Sequence, residues 1–211
     1  YLRMGNTGLR PERAHEWNAG LTWFHTSQGA LRSVSFTADG YYHDVNDKIV
    51  AFPSTYVWKM ANFGKVRTVG VDLTAATEVS LLRHVSLSLQ AAYTWQKTED
   101  RLPNSPSYGR QLPYTPKHSG NASALLCLPW FNLGYTVLMQ GERWSMPQTT
   151  PLYRLKPYWE QTLTLTRDFQ FRWASLRLQL SLQNLTDEQY EIIQYYPMPG
   201  RQFVATATLK I

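Results

Sequence analysis

Strict period-two alternation of apolar and polar residues is the feature that most constrains the fold of this chain. Along residues 85–95 the odd positions are Val, Leu, Leu, Ala, Tyr and Trp, and the even positions between them are Ser, Ser, Gln, Ala and Thr. Successive side chains of a β-strand point to opposite faces, whereas the apolar residues of an amphipathic helix recur every three to four positions. The pattern therefore predicts a strand with one apolar and one polar face.

Alternation of this kind recurs along the whole chain, and no helical period continues beyond about one turn. Nine strands are predicted in all, which places the chain in the all-β class. The predicted strands cover residues 16–24, 33–42, 66–80, 85–95, 119–128, 131–143, 159–168, 176–183 and 203–211.

The apolar strand faces could meet either the core of a soluble sandwich or the lipid around a membrane barrel. The predicted strands run for about 10–14 residues, which exceeds the 5–6 residues common in sandwiches and suits a tilted membrane-spanning strand. Aromatic residues also gather at the strand ends, as they do in the two girdles of a membrane barrel. These residues are Trp23, Phe24, Tyr93, Trp95, Trp130, Phe131, Trp144, Tyr158 and Trp159.

The connections between the predicted strands alternate in length. Short connections at residues 27–30, 81–83, 129–130 and 169–173 alternate with long ones at residues 44–65, 97–118, 145–157 and 185–200. Short turns on one rim and long loops on the other are typical of an antiparallel up-and-down transmembrane β-barrel. A Greek-key sandwich has no reason to alternate in this way, so the pattern favours the membrane barrel.

The number of strands predicts that more strands complete this barrel. Bacterial single-chain barrels have an even number of strands, whereas nine are predicted here. If the long loops are extracellular, the strand that ends at Ile211 runs inward, and so does the first strand. Two unpaired sheet edges in lipid would leave backbone groups without hydrogen bonds. We therefore expect the nine strands to be the C-terminal part of a larger barrel.

Composition excludes several other classes of function. The chain has 21 Lys and Arg against 15 Asp and Glu, but these cations are dispersed, so nucleic acid is not an expected partner. The single cysteine, Cys127, allows neither an internal disulfide nor a zinc site. The most apolar stretch, residues 124–139, is too short for a membrane-spanning helix. No hydrolase, metalloprotease or phosphate-loop motif is present, so we expect no enzyme activity, no cofactor and no bound metal.

Four short motifs in the chain resemble those of a known family. Residues 4–12 read M-G-N-T-G-L-R-P-E, and residues 112–118 read L-P-Y-T-P-K-H. Residues 184–190 read N-L-T-D-E-Q-Y, and residues 197–201 read P-M-P-G-R. In this order they resemble GN-x-x-L-K-P-E, P-x-x-P-x-H, N-L-F-D-x-x-Y and P-x-P-G-R of TonB-dependent outer-membrane receptors. The chain thus resembles the C-terminal half of such a receptor barrel.

This resemblance implies a fold, a location and a set of partners. It implies that residues 1–211 supply about nine strands of a 22-stranded barrel in the bacterial outer membrane, with the plug domain and the N-terminal strands lying outside this chain. Expected partners are outer-membrane lipid, that remaining part of the barrel and the plug, whether in the same gene product or another chain, and the TonB complex. A surface lipoprotein is a further candidate partner.

The resemblance also implies active import of a scarce nutrient complex of the iron-chelate, haem or cobalamin class, driven by the TonB system. Two other functions stay open at this stage. One is a porin-like passive channel, and the other is a soluble β-sandwich with a binding or adhesion role.

Aromatic and basic residues of the long loops are the candidates for ligand contact, because stacking and charge-assisted hydrogen bonds suit a planar or anionic ligand. Arg201 is the candidate for plug contact, with a solvated rim charge as the alternative reading, and His43 is the candidate iron ligand if the nutrient is haem. Asn184, Asp187 and Tyr190 are expected to shape a turn. The loop candidates are Tyr56, Trp58, Arg110, Tyr114, Tyr153, Arg154, Tyr195 and Tyr196.

Overall fold

A computed structural model describes residues 2–53, 57–62, 64–147 and 150–211. Nine strands form its principal sheet, and the only helix in the described residues is a 3-10 turn at Pro151–Tyr153, so no described helix is long and apolar enough to cross a membrane. The nine strands are β1 (Arg13–Thr26), β2 (Leu31–Asn46), β3 (Lys65–Leu82), β4 (Val85–Asp100), β5 (His118–Cys127), β6 (Asn132–Gln140), β7 (Tyr158–Gln170), β8 (Ser175–Gln183) and β9 (Gln202–Lys210).

The sheet is an up-and-down meander in which each strand pairs antiparallel with its neighbours in sequence, from β1 at one edge to β9 at the other. This arrangement confirms the predicted antiparallel all-β fold. The soluble β-sandwich alternative is wrong, because within the described residues no second large sheet packs against this one and its apolar face stays open.

The register of the strands places the apolar residues of neighbouring strands on the same face. Leu73 of β3 lies opposite Ala38 of β2 and Tyr93 of β4, and directly opposed residues share a face. Large side chains on this apolar face are exposed, as shown by Trp17 at 74% and Leu21 at 69%. An apolar surface of this extent marks an interaction with a membrane or another protein.

The other face of the sheet is polar. Asp39 and Asp72 lie opposite each other in β2 and β3, and the Thr94 hydroxyl donates to Asp72 Oδ1 at 2.6 Å. On the same face, the ring of Tyr41 lies over Gly70, where a Cβ would come within 2.3 Å of the ring. The polar face therefore combines ionisable groups with close cross-strand packing.

Most strands are longer than predicted, because β1 to β4 continue beyond the alternating segment at the long-loop rim. β4 runs on to Asp100, and its last residues pair with the start of β3, so that Asp100 lies opposite Val66. Both residues are buried, although residues 97–100 at this end of β4 are polar on both faces of the strand. The prediction that one strand reaches residue 143 was wrong, since β6 ends at Gln140.

The end of β6 has a local cause in Gly141. Its backbone N–H donates to the carbonyl oxygen of His118 at 2.8 Å, and a Cβ at this position would lie 2.7 Å from the same oxygen. Only glycine fits this close approach, after which the chain leaves the principal sheet. Arg143–Trp144 then forms a separate antiparallel pair with Arg154–Leu155.

The long connections lie at residues 47–64, 101–117, 141–157 and 184–201, and all but the second contain strands that pair in small sheets. Ile49–Pro53 pairs with Val57–Asn62, which also pairs in parallel with Leu2–Met4. Glu191–Ile193 pairs with Tyr196–Pro197. The short connections at the opposite rim have between two and four residues, since β3 and β4 are separated by residues 83–84 and β1 and β2 by residues 27–30. The predicted alternation of loop lengths is confirmed.

Candidate ligand site at the long-loop rim

A cavity of about 370 Å³ opens at the long-loop rim, and each of the four long loops contributes to it. We call it the loop pocket. Its walls combine aromatic, aliphatic and cationic groups, as in sites that bind organic ligands. The lining residues are Ala51, Pro113, Tyr114, Gln140, Arg143, Tyr158, Ile192 and Ile193.

Arg143 is the charged group of the loop pocket. Its strand pairing with Leu155 holds the backbone, and the side chain is buried, with the residue only 3% exposed. Nη2 donates to the carbonyl oxygen of Glu191 at 2.5 Å, whereas the buried Nη1 has no hydrogen-bond partner within the described residues. A buried guanidinium with an unsatisfied donor is costly.

Burial lowers the pKa of Arg143, and the neighbouring tyrosines Tyr158 and Tyr114 oppose this effect. Arginine nevertheless stays protonated at any pH a protein encounters. The loop pocket therefore contains a permanent positive charge whose hydration has been largely removed.

Tyr158 lines the loop pocket beside Arg143 and is backed by a second tyrosine, Tyr190. The guanidinium carbon lies 5.2 Å from the ring centroid of Tyr158, which stacks on Tyr190 with centroids 4.0 Å apart. The Tyr190 hydroxyl donates to Glu160 Oε2 at 2.5 Å. Burial, and then the hydrogen bond to this carboxylate, raise the pKa of Tyr190. Glu160 therefore holds Tyr190 at one end of the stack, and Arg143 contacts Tyr158 at the other end. Both tyrosine hydroxyls stay protonated, because burial also raises the pKa of Tyr158.

Tyr114 brings the second long loop to the pocket. It adopts a left-handed backbone conformation with φ of 58°, and its N–H donates to the carbonyl oxygen of Trp144 at 2.7 Å. Burial raises the pKa of the Tyr114 hydroxyl, and a backbone hydrogen bond from Gln194 is the largest opposing effect. This loop is thereby tied to the loop that carries Arg143.

The turn after β8 has the structural role expected for its motif. Asn184 is 3% exposed and has a φ of 49°. Its Nδ2 donates to the carbonyl oxygens of Glu188 at 2.9 Å and Pro199 at 3.2 Å, and its Oδ1 accepts the Glu188 N–H. Asp187 Oδ1 accepts the backbone N–H of Arg201 at 2.8 Å. These bonds close the base of the fourth loop.

The other predicted ligand residues are spread over the long-loop rim. Tyr56 lies outside the described residues, and the backbone of Trp58 pairs with Pro53 in the first loop. Arg110 is exposed in the second loop. Tyr195 and Tyr196 are exposed by 71% and 48%. Arg110, Tyr195 and Tyr196 do not line the loop pocket, and Tyr114 is the one predicted loop residue that does among those whose side chains the structure describes.

Two of the predicted residues lie in the third loop, beside the pocket. The carbonyl oxygen of Tyr153 accepts the N–H of Ser145 at 2.8 Å. Arg154 forms an ion pair with Glu142 and lines a neighbouring cavity of about 310 Å³ with Tyr190. These contacts order the loop that presents Arg143.

Arg201 and His43 lie away from the loop pocket. The Arg201 side chain is exposed directly before β9, and its contact with a plug stays a prediction. His43 lies on the polar face of β2, where Nε2 is 3.1 Å from Asn18 Oδ1 and the ring stacks on Tyr41 at 5.2 Å.

The sequence did not predict Arg143 and Tyr158 as lining residues of the loop pocket, or Tyr190 as the residue that stacks behind Tyr158. Arg143 was assigned to the end of a strand, Tyr158 to an aromatic girdle and Tyr190 to a turn motif. The one available signal was an arginine in the Gly-Glu-Arg segment that follows a mostly apolar strand. Only the structure identifies Arg143 as a site residue, because it shows that all four long loops meet around this side chain.

Residues 1–185 match the model of a protein family described as TonB dependent receptor-like, beta-barrel. The fold is similar to that of the ferric-catecholate import receptor Fiu from E. coli K12, with a TM-score of 0.68 and 20% identity over 96% of this chain and 28% of Fiu. The ferric citrate transporter FecA gives a TM-score of 0.72 and 18% identity over 95% of this chain and 32% of FecA. The siderophore receptor PiuA from Acinetobacter baumannii gives 0.69 and 19%, over 93% of this chain and 28% of PiuA. The chain thus spans about a third or less of each of these proteins.

Proposed function

Because this chain belongs to the TonB-dependent receptor-like β-barrel family, we propose that it is part of an outer-membrane receptor that imports an anionic iron chelate with energy from the TonB system. The apolar face of the sheet then contacts lipid, the polar face lines the lumen and the long loops are extracellular. The loop pocket is the part of the ligand site that this chain contributes.

The observation that carries the choice of ligand is the buried guanidinium of Arg143. Nη1 lacks a hydrogen-bond acceptor among the described residues, so an anionic oxygen that enters the pocket would complete the hydrogen bonding of this group. The aromatic ring of Tyr158, held in place by its stack on Tyr190, lines the pocket beside this group. These features favour a ligand with both anionic oxygens and a planar part.

The names of similar structures point to the same chemistry. Fiu is named for ferric-catecholate import and FecA for ferric citrate transport. Catecholate and citrate chelates both present anionic oxygens, and a catecholate is also planar. Haem is less well supported, because His43 lies on the lumen wall and does not line the loop pocket.

The open edges of the sheet support a larger assembly. The unpaired sides of β1 and β9 would leave backbone groups without partners in lipid. We infer that further strands join these edges to close a barrel of about 22 strands, a size that encloses a plugged lumen. The plug, and the TonB complex that acts on it, are the partners that active import requires.

Uptake by cells that contain the full-length receptor tests this proposal. Arg143→Gln retains a polar side chain but removes the charge, so we expect the Kd for a ferric catecholate to rise about 10-fold to 100-fold, since a hydrogen bond to a charged group contributes about 1.5–3 kcal/mol. The control is Arg83→Gln, which removes an exposed arginine from a short turn at the other rim. Binding and uptake of radioiron-labelled ferric catecholate and ferric citrate are measured for both variants.

Equal binding by the Arg143 variant and the wild type would contradict the proposed site. The passive-channel alternative makes a different prediction, because a porin conducts small solutes without an energy source. Uptake that persists when a protonophore removes the proton-motive force would favour the porin and exclude TonB-driven import.

A further inference from the structure

A second cavity, of about 310 Å³, lies beside the loop pocket between the third and fourth long loops. We call it the side cavity. Its lining includes two cations, Arg154 and Lys156, and the aromatic residue Tyr190. None of the described residues lines both cavities. The side cavity is therefore a separate candidate site and not an extension of the loop pocket.

The stacked tyrosine pair separates the two cavities. Tyr158 lines the loop pocket, Tyr190 lines the side cavity, and their ring centroids are 4.0 Å apart. The Tyr190 hydroxyl donates to Glu160 Oε2 at 2.5 Å, which fixes the orientation of this ring. Each cavity therefore has one aromatic ring that belongs to the same rigid pair.

The short two-stranded ribbon of the third loop distributes its cations between the two cavities. Arg143 pairs with Leu155, and Trp144 pairs with Arg154. Because neighbouring residues of a strand point to opposite faces, Arg143 and Arg154 lie on opposite faces of the ribbon. Lys156 follows Arg154 by two residues and lines the same cavity. The loop pocket thus receives one cation from this segment, and the side cavity receives two.

Lys156 is the cation of the side cavity that is available to a ligand. Arg154 Nε donates to Glu142 Oε2 at 2.6 Å, so its charge is already shared with a carboxylate. The acidic residue of the lining, Glu191, accepts the Tyr195 N–H on Oε2 at 3.0 Å. Within the part of the chain that the structure describes, Lys156 Nζ has no carboxylate at ion-pair distance. An ammonium group in a cavity with an aromatic wall favours an anionic group with a planar part.

The dimensions of the two cavities favour one planar group in each. Their volumes of about 370 and 310 Å³ are at the lower end of the roughly 300–1,000 Å³ found for ligand pockets. If a planar group stacks about 4.5 Å from the outer side of each tyrosine, the two groups lie roughly 13 Å apart. This separation favours an elongated ligand over a compact complex whose planar groups all surround one iron ion.

From this duplicated chemistry we propose that the side cavity binds a second planar anionic group, and that the imported chelate is an elongated molecule with one such group for each cavity. Lys156 forms the ion pair with the second group, and Tyr190 stacks on it. The inference rests on the proposed function, because the loop pocket holds the first group. It restricts the substrate class to iron chelates with two planar anionic ends.

Calorimetric titration of the detergent-solubilised full-length receptor tests how many planar groups bind. The one-arm probe is N-acetyl-5-aminosalicylate, which has a planar ring and a carboxylate. The two-arm probes contain two 5-aminosalicylate units joined at their amines by a sebacoyl linker or by the much shorter succinyl linker. We expect each receptor to bind two molecules of the one-arm probe but one molecule of the sebacoyl-linked probe.

The affinities of the probes test whether both cavities hold parts of one ligand. A linker that spans two sites makes the second binding event intramolecular and raises affinity by about 10²–10⁴. We therefore expect the sebacoyl-linked probe to bind at least about 100-fold more tightly than the one-arm probe. The succinyl linker is too short to place both rings, so its probe should stay within about threefold of the one-arm probe.

Variants of the side cavity identify the second site. Gln189→Trp fills the side cavity from an exposed lining position, so it should remove one of the two one-arm sites and reduce the sebacoyl-linked probe to one-arm affinity. Lys156→Gln should raise the Kd of the sebacoyl-linked probe about fivefold, the upper range for an exposed ion pair. Lys156→Arg retains the charge and should stay within about twofold of the wild type. The control is Lys117→Gln, which removes an exposed lysine that lines neither cavity and should leave binding unchanged.

Three results would overturn the second site. They are a single one-arm probe per receptor, equal affinities for the three probes, or a Gln189 variant that binds like the wild type. None of them affects the proposed import through the loop pocket, because Arg143→Gln tests that pocket separately. In combination with Gln189→Trp, Arg143→Gln should weaken the one-arm site that remains.

Discussion

Asn184 shows how a single side chain holds a loop of the rim in place. It has a positive φ, which asparagine tolerates better than most residues, and its amide bonds to residues at both ends of the fourth loop. The N-L-x-D-x-x-Y motif allowed this role to be predicted, since Asn and Asp commonly satisfy turn backbone groups. Arg143 could not be predicted in the same way, because its partners Glu191, Tyr114 and Tyr158 are distant in sequence.

Replacement of Asn184 tests the closure of the fourth loop. Asn184→Ala removes three hydrogen bonds of about 1 kcal/mol each and leaves alanine in a left-handed conformation. We expect hydrogen exchange of the Glu188 amide, measured by mass spectrometry of the full-length receptor, to accelerate by about a hundredfold or more.

Asn104 provides the control for this experiment. It is exposed and also has a positive φ, of 64°, so Asn104→Ala carries mainly the conformational cost. We expect only about a fivefold local acceleration, from about 1 kcal/mol. Equal acceleration in the two variants would show that the Asn184 side-chain bonds do not hold the loop.

At the scale of the strand, alternation predicted the number, order and direction of β1 to β9. It failed at the long-loop rim, where residues 97–100 are polar on both faces and strand pairing continues outside the alternating segment. It also failed for the small sheets of the loops, because two to six residues are too few to establish a period. Contacts between distant loops determine those elements.

The two faces of β4 should respond differently to a charge. Leu89→Arg places a cation on the lipid-facing side near mid-membrane and should destabilise the receptor by about 2–4 kcal/mol, whereas Gln90→Arg places it on the polar side with little cost. Urea titration of the full-length receptor folded into phosphatidylcholine vesicles measures the difference. Equal destabilisation by the two variants would contradict the assignment of the faces.

At the scale of the whole molecule, the chain separates three environments. In the proposed barrel, lipid meets the apolar face and the lumen meets the polar face, while the four long loops share one rim, where the loop pocket lies. The separation follows from strands with a period of two joined by connections of alternating length. The fold could therefore be predicted from local patterns, whereas the ligand site depends on how four distant loops meet.

A spin-label scan of β4 tests most directly whether this sheet crosses a membrane. Labels are attached to single cysteines at each position of residues 85–95 in the full-length receptor with Cys127→Ser, reconstituted in phosphatidylcholine vesicles. Oxygen dissolves in lipid, so we expect oxygen accessibility to be high at the odd positions, low at the even positions and greatest near Leu89 and Ala91. Protection of the odd positions from oxygen, or accessibility with no period of two, would contradict the membrane-spanning barrel.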